Sequence, residues 1–123
     1  MKRIVIADDS ATARMVIRRC LEIIGLGDAG MVEVPNGREA LARLKEEPAD
    51  LLVTDLNMPI MDGETLLKWV KGSPKLNHVP VVVITSAGNP AKEALLSELG
   101  AFAVLDKPIS PATLLKKLEP LMQ

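Results

Sequence analysis

Six side chains in this sequence have the chemistry to act together on a charged substrate. They are the carboxylates of Asp8, Asp9 and Asp55, the hydroxyls of Thr85 and Ser86, and the amine of Lys107. Taken singly, each has a plain explanation: Asp8-Asp9-Ser10 caps a helix, Asp55 starts a turn, Thr85-Ser86 opens a loop and Lys107 is a solvated charge. Taken together they favour a site, because each group lies within two residues of the end of a short apolar run. Carboxylates brought within a few ångströms repel, which raises their pKa values unless a cation joins them. Oxygen-only donors of this kind suit a hard divalent ion such as Mg2+ (or Mn2+), which keeps several waters and uses few protein ligands. A carboxylate beside such an ion and a lysine is suited to attack a phosphorus centre, since both cations neutralise charge on the transferring oxygens. The Thr85 hydroxyl and the Ser86 backbone N–H are then available to hold the phosphoryl group. His78, the only histidine, precedes its apolar run and so lies on the wrong side to be a ligand.

The elements that must position these groups are legible in the hydropathy pattern. Apolar runs at Ile4–Ala7, Met31–Val34, Leu51–Thr54, Val81–Ile84 and Ala101–Leu105 alternate with helix-like segments. Leu51-Leu52-Val53-Thr54 has no polar alternation, which predicts a strand covered on both faces, as in a parallel sheet. Asp is a poor strand-interior residue, so Asp55 belongs at the carboxyl end of that strand. Between the runs, Ala13, Val16, Ile17, Cys20, Leu21 and Ile24 recur at helical spacing up to a stop at Gly25. Asn36 and Glu39 have the spacing of a capping box, and Asn89-Pro90 and Ser110-Pro111 are helix starts. Strands alternating with helices predict right-handed βαβ units and one parallel α/β sheet, whose carboxyl edge gathers all six groups. The turn Gly25-Leu26-Gly27-Asp28-Ala29-Gly30 follows a helix instead of opening one, so it reads as a connection and not as a phosphate loop.

The totals narrow the function classes. A chain of 123 residues, 48% hydrophobic and 25% charged, is expected to form a single domain, residues 1–123, with no effector domain. A net charge of −1 argues against direct nucleic-acid or membrane binding, and the one cysteine, Cys20, excludes an internal disulfide and a cysteine metal cluster. No apolar run has the length of a membrane span and the start is not a signal peptide, so a cytoplasmic location is expected.

The stretches Asp8-Asp9-Ser10, Asn36-Gly37-Arg38-Glu39-Ala40-Leu41, Asp55-Leu56-Asn57-Met58-Pro59-Ile60-Met61-Asp62-Gly63, Ile84-Thr85-Ser86-Ala87 and Leu105-Asp106-Lys107-Pro108 together resemble the response-regulator receiver domains of two-component signalling, including the chemotaxis response regulators. The resemblance covers essentially the whole chain and rests on the order and spacing of the pieces. It implies a flavodoxin-like, doubly wound five-stranded parallel sheet in strand order 2-1-3-4-5 with five helices. It implies that Asp55 accepts a phosphoryl group from a sensor histidine kinase or phosphotransfer protein. Asp9 then binds Mg2+ directly and Asp8 mainly through water, with Asp55 and the backbone carbonyl of Asn57 completing the protein ligands. Lys107 pairs with Asp55 and afterwards with the phosphoryl oxygens, Thr85 moves toward the phosphoryl group, and Lys107-Pro108 is a cis peptide. Such a domain is a switch and not an enzyme, catalysing only its own phosphorylation and dephosphorylation. Its output surface is the fourth helix, fifth strand and fifth helix, which meets an unidentified downstream protein, the chain itself being a monomer or a weak phosphorylation-dependent dimer.

Two positions depart from the family pattern. Where an aromatic residue usually stands three before the lysine, this chain has Val104, and Phe102, on the same side of the strand, is expected to substitute in part. Ala87 and Asn57 occupy the positions that influence attack of water on the phosphoaspartate. Alanine has no side chain to orient that water, so intermediate-to-slow self-dephosphorylation is expected. Three other readings are weaker. A phosphohydrolase of the haloacid-dehalogenase kind needs a second acid where Asn57 stands. A flavin binder needs aromatic stacking that a chain with 2% aromatics lacks. A pseudo-receiver has no use for the complete set of site residues.

Overall fold

The three central apolar runs, Ile4–Ala7, Leu51–Thr54 and Val81–Ile84, become strands because they are aliphatic, rich in β-branched residues and buried on both faces, whereas Met31–Val34 and the run ending at Leu105 form strands that are only partly buried. The computed structural model describes residues 1–86 and 89–123. In chain order the elements are β1 (Arg3–Ala7), α1 (Ala11–Leu21), β2 (Gly30–Val34), α2 (Gly37–Glu46), β3 (Leu51–Asp55), α3 (Gly63–Gly72), β4 (Val81–Thr85), α4 (Pro90–Glu98), β5 (Ala103–Asp106) and α5 (Pro111–Leu118). The strands form one parallel sheet in the order β2-β1-β3-β4-β5. This is the flavodoxin-like doubly wound arrangement implied by the resemblance.

The two-residue period of a strand divides the core. Val5, Ala7, Leu52, Val81 and Val83 face α2, α3 and α4, meeting Ala40, Leu44, Leu66, Leu67, Val70 and Leu96. Their neighbours Ile4, Ile6, Leu51, Val53, Val82 and Ile84 face the other way, against Ile17, Cys20 and Leu21 of α1 and Leu114 and Leu118 of α5. Each fully buried leucine or isoleucine stabilises the fold by roughly 1.5–3 kcal/mol relative to exposure, so truncating Leu66 or Leu52 would be severe. Both core layers are aliphatic: Trp69 and Phe102, the only aromatic residues, are exposed.

Helix starts follow the side-chain chemistry anticipated above. The Asn36 side-chain Oδ1 accepts from the Glu39 N–H at 2.9 Å, and the Asn89 and Ser110 side chains accept from the N–H groups of Lys92 and Thr113, each at 3.2 Å. The capping box differs in one detail, since Glu39 takes its hydrogen bond from the Asn36 side-chain amide. Ser10 and Asp62 cap α1 and α3 in the same way. Gly25 does end the first helix: it turns the chain at φ 99° after the regular helix has loosened into a wider turn over Glu22–Leu26. The fifth strand begins at Ala103, two residues later than its apolar run, because Ala101 still belongs to the connection from α4. Val16, at helical spacing with the buried positions, is largely exposed on the flank of α1.

Candidate functional site

Register alone brings the first two acidic positions together. Ala7 pairs with Thr54, so Asp8 and Asp55 leave the sheet side by side at the ends of β1 and β3. Asp55 pairs in turn with Ile84, and Thr85 with Asp106, which carries the edge across to Lys107. The Lys107 N–H donates to the Thr85 carbonyl at 2.8 Å. One carboxylate oxygen each from Asp8, Asp9 and Asp55 lies within 4.8 Å of the others. The Lys107 Nζ stands 3.2 Å from Asp55 Oδ1 and 3.7 Å from Asp8 Oδ2.

The three carboxylates are held unequally. Asp8 is only 1% exposed, with Oδ1 accepting from the Ser10 N–H at 2.9 Å. Its Oδ2 is buried without a hydrogen-bond partner among the described residues. Burial pushes the Asp8 pKa up, the Ser10 hydrogen bond opposes this, and the Asp55 charge adds to the rise. An orphaned, buried carboxylate oxygen among two more carboxylates is the donor set of a hard divalent cation, so the residues present fit such an ion. Asp55 is 6% exposed; its Oδ1 accepts from the Leu56 N–H at 2.9 Å and faces Lys107. No hydrogen bond or ion pair among the described residues engages its Oδ2. Asp9 is exposed at the rim, and Asn57 follows Asp55 on an exposed loop.

Thr85 is buried at the end of β4 and Ser86 is exposed beyond it. Ala87, expected to influence phosphoryl lifetime, lies outside the described residues. The Lys107-Pro108 peptide is cis. Val104 is half-buried against the core layer beneath α4, whereas Phe102, 39% exposed, stands just before β5 with its N–H on the Val81 carbonyl. His78 is exposed at the opposite edge, away from the carboxylates.

Four supports of the site carry no local signal of function in the sequence. The Arg14 guanidinium donates to the Asp8 carbonyl at 2.6 Å and pairs with Glu33 at 3.2 Å, tying the end of β1 to α1 and β2. Its only local mark is a basic residue in the first turn of α1, where the helix dipole disfavours one. Gly63 begins α3 directly against the Asp55 carbonyl, where any Cβ would fall inside the contact distance of that oxygen. Gly37 is similar, a Cβ there meeting the Met61 carbonyl at 2.7 Å. Glu64 of α3 forms ion pairs with Lys68 and with Lys92 of α4, which hold its carboxyl below the ordinary glutamate range.

Comparison with known proteins agrees with this geometry. A family profile described as the response regulator receiver domain matches residues 4–119. The chain is 33% identical over 121 residues to chemotaxis protein CheY-3 of Vibrio cholerae, covering 98% of this chain and 92% of that protein. Among solved structures, the chemotaxis response regulator CheY4 of Vibrio cholerae superposes with a TM-score of 0.85 at 30% identity, covering 98% of both chains. The Mn(2+)-bound form of response regulator Rcp1 gives a TM-score of 0.79 at 26% identity, over 98% of this chain and 91% of that one.

Proposed function

Since the chain belongs to the response regulator receiver domain family, a class of phosphorylation-activated signalling switches, we propose that Asp55 is its phosphoacceptor. The observation that carries this reading is the Asp55 carboxylate itself. It is buried at a strand end, faced by Lys107 at 3.2 Å, and shares a 4.8 Å cluster with two further carboxylates. The Leu56 N–H and Lys107 hold Oδ1, which leaves Oδ2 to attack the phosphorus of a phosphohistidine on a histidine kinase or phosphotransfer protein. The O–P bond forms as the N–P bond breaks, and the departing imidazole takes its proton from solvent.

Receiver domains bind a divalent metal in an acidic pocket, and Mg2+ or Mn2+ is the ion proposed here, held by Asp8, Asp9, Asp55 and the Asn57 carbonyl. When bound, the ion neutralises charge on the phosphoryl oxygens. The buried Oδ2 of Asp8, which makes no hydrogen bond and meets only the Lys107 amine at 3.7 Å, supports this assignment, as does the Mn(2+)-bound state of the related Rcp1. Lys107 neutralises a further phosphoryl oxygen. The Thr85 hydroxyl and Ser86 N–H draw toward the group once two new charges and three acceptor oxygens have arrived.

The response passes to α4, β5 and α5, where exposed Leu95 and Phe102 meet the downstream protein. Phe102 supplies part of the contact that Val104 is too small to make. No helix among the described residues is long and apolar enough to cross a membrane. Self-dephosphorylation is intermediate to slow, and Ala87→Glu should change its rate measurably; an unchanged decay removes that assignment.

The test adds Mg2+ and beryllofluoride or a small phosphodonor to wild type and to Asp55→Asn. Wild type should take up about one phosphoryl group per chain and shift the backbone resonances of Thr85, Ser86 and β5; Asp55→Asn should do neither. An identical response in both proteins would overturn the assignment.

A further inference from the structure

The largest apolar side chain in the molecule is spent on no core. Trp69, 58% exposed on α3, forms one wall of an open groove whose other wall is Leu41 and Lys45 of α2. Lys68 and Gly72 complete it, and a second depression sharing Lys45 and Ser73 continues it toward Lys75, Leu76 and His78. With both core layers closed by aliphatic residues, the exposed indole is not needed for folding. Tryptophan is among the side chains most enriched in binding hot spots, and the Leu41 side chain and lysine stems extend the apolar surface beside it.

Charge along the groove is unbalanced. The acids near it are already engaged: Glu46 by Arg43, Glu47 by Arg3, and Glu64 by Lys68 and Lys92. Among the described residues neither Lys45 nor Lys75 forms an ion pair, and the Trp69 indole N–H donates no hydrogen bond. What remains unpaired is therefore two ammonium groups and one N–H donor around an apolar floor. Lys45, Lys75 and Trp69 are exposed, so these donors are open to an acceptor or an anion on a partner.

We infer that the α2–α3 groove docks an acidic amphipathic helix of a partner protein. The apolar stripe of that helix would lie on Leu41 and Trp69, with its carboxylates over Lys45 and Lys75. The elongated shape suits a helix better than a small molecule, in the helix-in-groove mode of recognition. The groove offers one indole and no run of aromatic platforms, which disfavours a nucleic-acid strand. None of the proposed phosphorylation residues lines the groove, so this inference goes beyond the switch reading and stands or falls separately from it.

Trp69 is the sole tryptophan and reports its own occupancy. The probe is a synthetic helical peptide of leucine and glutamate patterned with one apolar stripe; a leucine–lysine peptide of the same pattern and an oligothymidylate are the controls. The leucine–glutamate peptide should shift Trp69 emission to the blue with a dissociation constant on the order of 0.1 mM. Affinity should fall at least threefold between about 50 and about 300 mM salt. Gly72 is the site for a blocking variant, because a Cβ there meets no atom within 4 Å. Gly72→Glu should weaken binding at least tenfold while Gly72→Lys, of similar bulk, weakens it less, both melting like wild type. Asp55→Asn should bind as wild type does, which separates this result from the fate of the phosphorylation assignment. An absent shift, an equal response to the leucine–lysine peptide, a stronger response to oligothymidylate, or indifference to Gly72→Glu would each overturn the inference. So would backbone NMR shifts that cluster on α4, β5 and α5 instead of α2 and α3.

Discussion

At the ends of β1 and β3 the acidic side chains are buried and braced from neighbouring elements, whereas the ends of β4 and β5 run out into exposed residues. Asp8 donates its N–H to Val34 of β2 and receives the Arg14 guanidinium on its carbonyl, and Asp55 is closed off by Gly63. Across the edge, the Lys107 N–H bonds the Thr85 carbonyl, and the chain then runs into exposed Ser86, Asp106, Lys107 and Pro108. Asp8 and Asp55 are the buried, acidic half of the site, whereas Ser86, Asp106 and Lys107 lie exposed at its rim. A site built this way separates two demands. Repelling carboxylates must be held rigidly to receive a cation, while a switch needs groups near solvent that arriving charge can draw in.

The sharpest way to break this contrast is to measure divalent-cation affinity by calorimetry in Asp8→Asn and Lys107→Ala. Asp8→Asn should weaken binding by at least tenfold, about 1.4 kcal/mol, and by more if its orphaned oxygen is a direct ligand. Lys107→Ala should leave affinity unchanged or raise it, because it removes a positive charge from beside the ion. Equal losses in both would mean that the halves are not distinct.

Rigidity of the acidic half is tested next by Gly63→Ala. A Cβ against the Asp55 carbonyl forces backbone to move, so the variant should lose about 1–3 kcal/mol in denaturant unfolding. Ile60 sharpens the same point with the opposite sign. This β-branched residue holds φ 69°, the left-handed region, and is 74% exposed, so it is strained without burying much surface. Ile60→Gly should gain about 1 kcal/mol, and a loss would show that the loop relies on its side chain.

The smallest effect belongs to the responsive half, at the Glu64–Lys92 ion pair that ties α3 to the start of α4. Lys92 first and Lys68 second hold the Glu64 pKa below its ordinary value. The pair therefore contributes stability above that ordinary value, and loses it as pH falls through the depressed one. Glu64→Gln should flatten stability in that acid window and cost no more than about 1 kcal/mol near neutrality, as partly exposed pairs do. An unchanged acid limb would remove the tie between α3 and α4 from the account.

Much of this was written in local residue order. A strand end is marked by an abrupt change from apolar to polar, so Asp8, Asp55, Thr85 and Lys107 could be picked out before any coordinates. Caps such as Asn36, Asn89 and Ser110 bond groups only three residues away, which makes them equally legible. Arg14 and Gly63 could not be read in this way. The meaning of each depends on a backbone carbonyl brought near by folding, from Asp8 in one case and Asp55 in the other. The fifth strand starts two residues later than its apolar run for a related reason: Ala101 and Phe102 are apolar, but pairing with β4 decides where the strand starts.

By itself, then, the sequence determined the alternation of strands and helices, the parallel sheet and the identity of the groups at its carboxyl edge. Periodicity and strand-end chemistry are properties of neighbouring residues. Only the tertiary structure decided that one oxygen of Asp8 is buried without a hydrogen bond, that Arg14 braces the carbonyl behind it, and that Trp69 faces a groove instead of the core. Burial, register and the distance between side chains remote in sequence exist only once the sheet has closed its two layers.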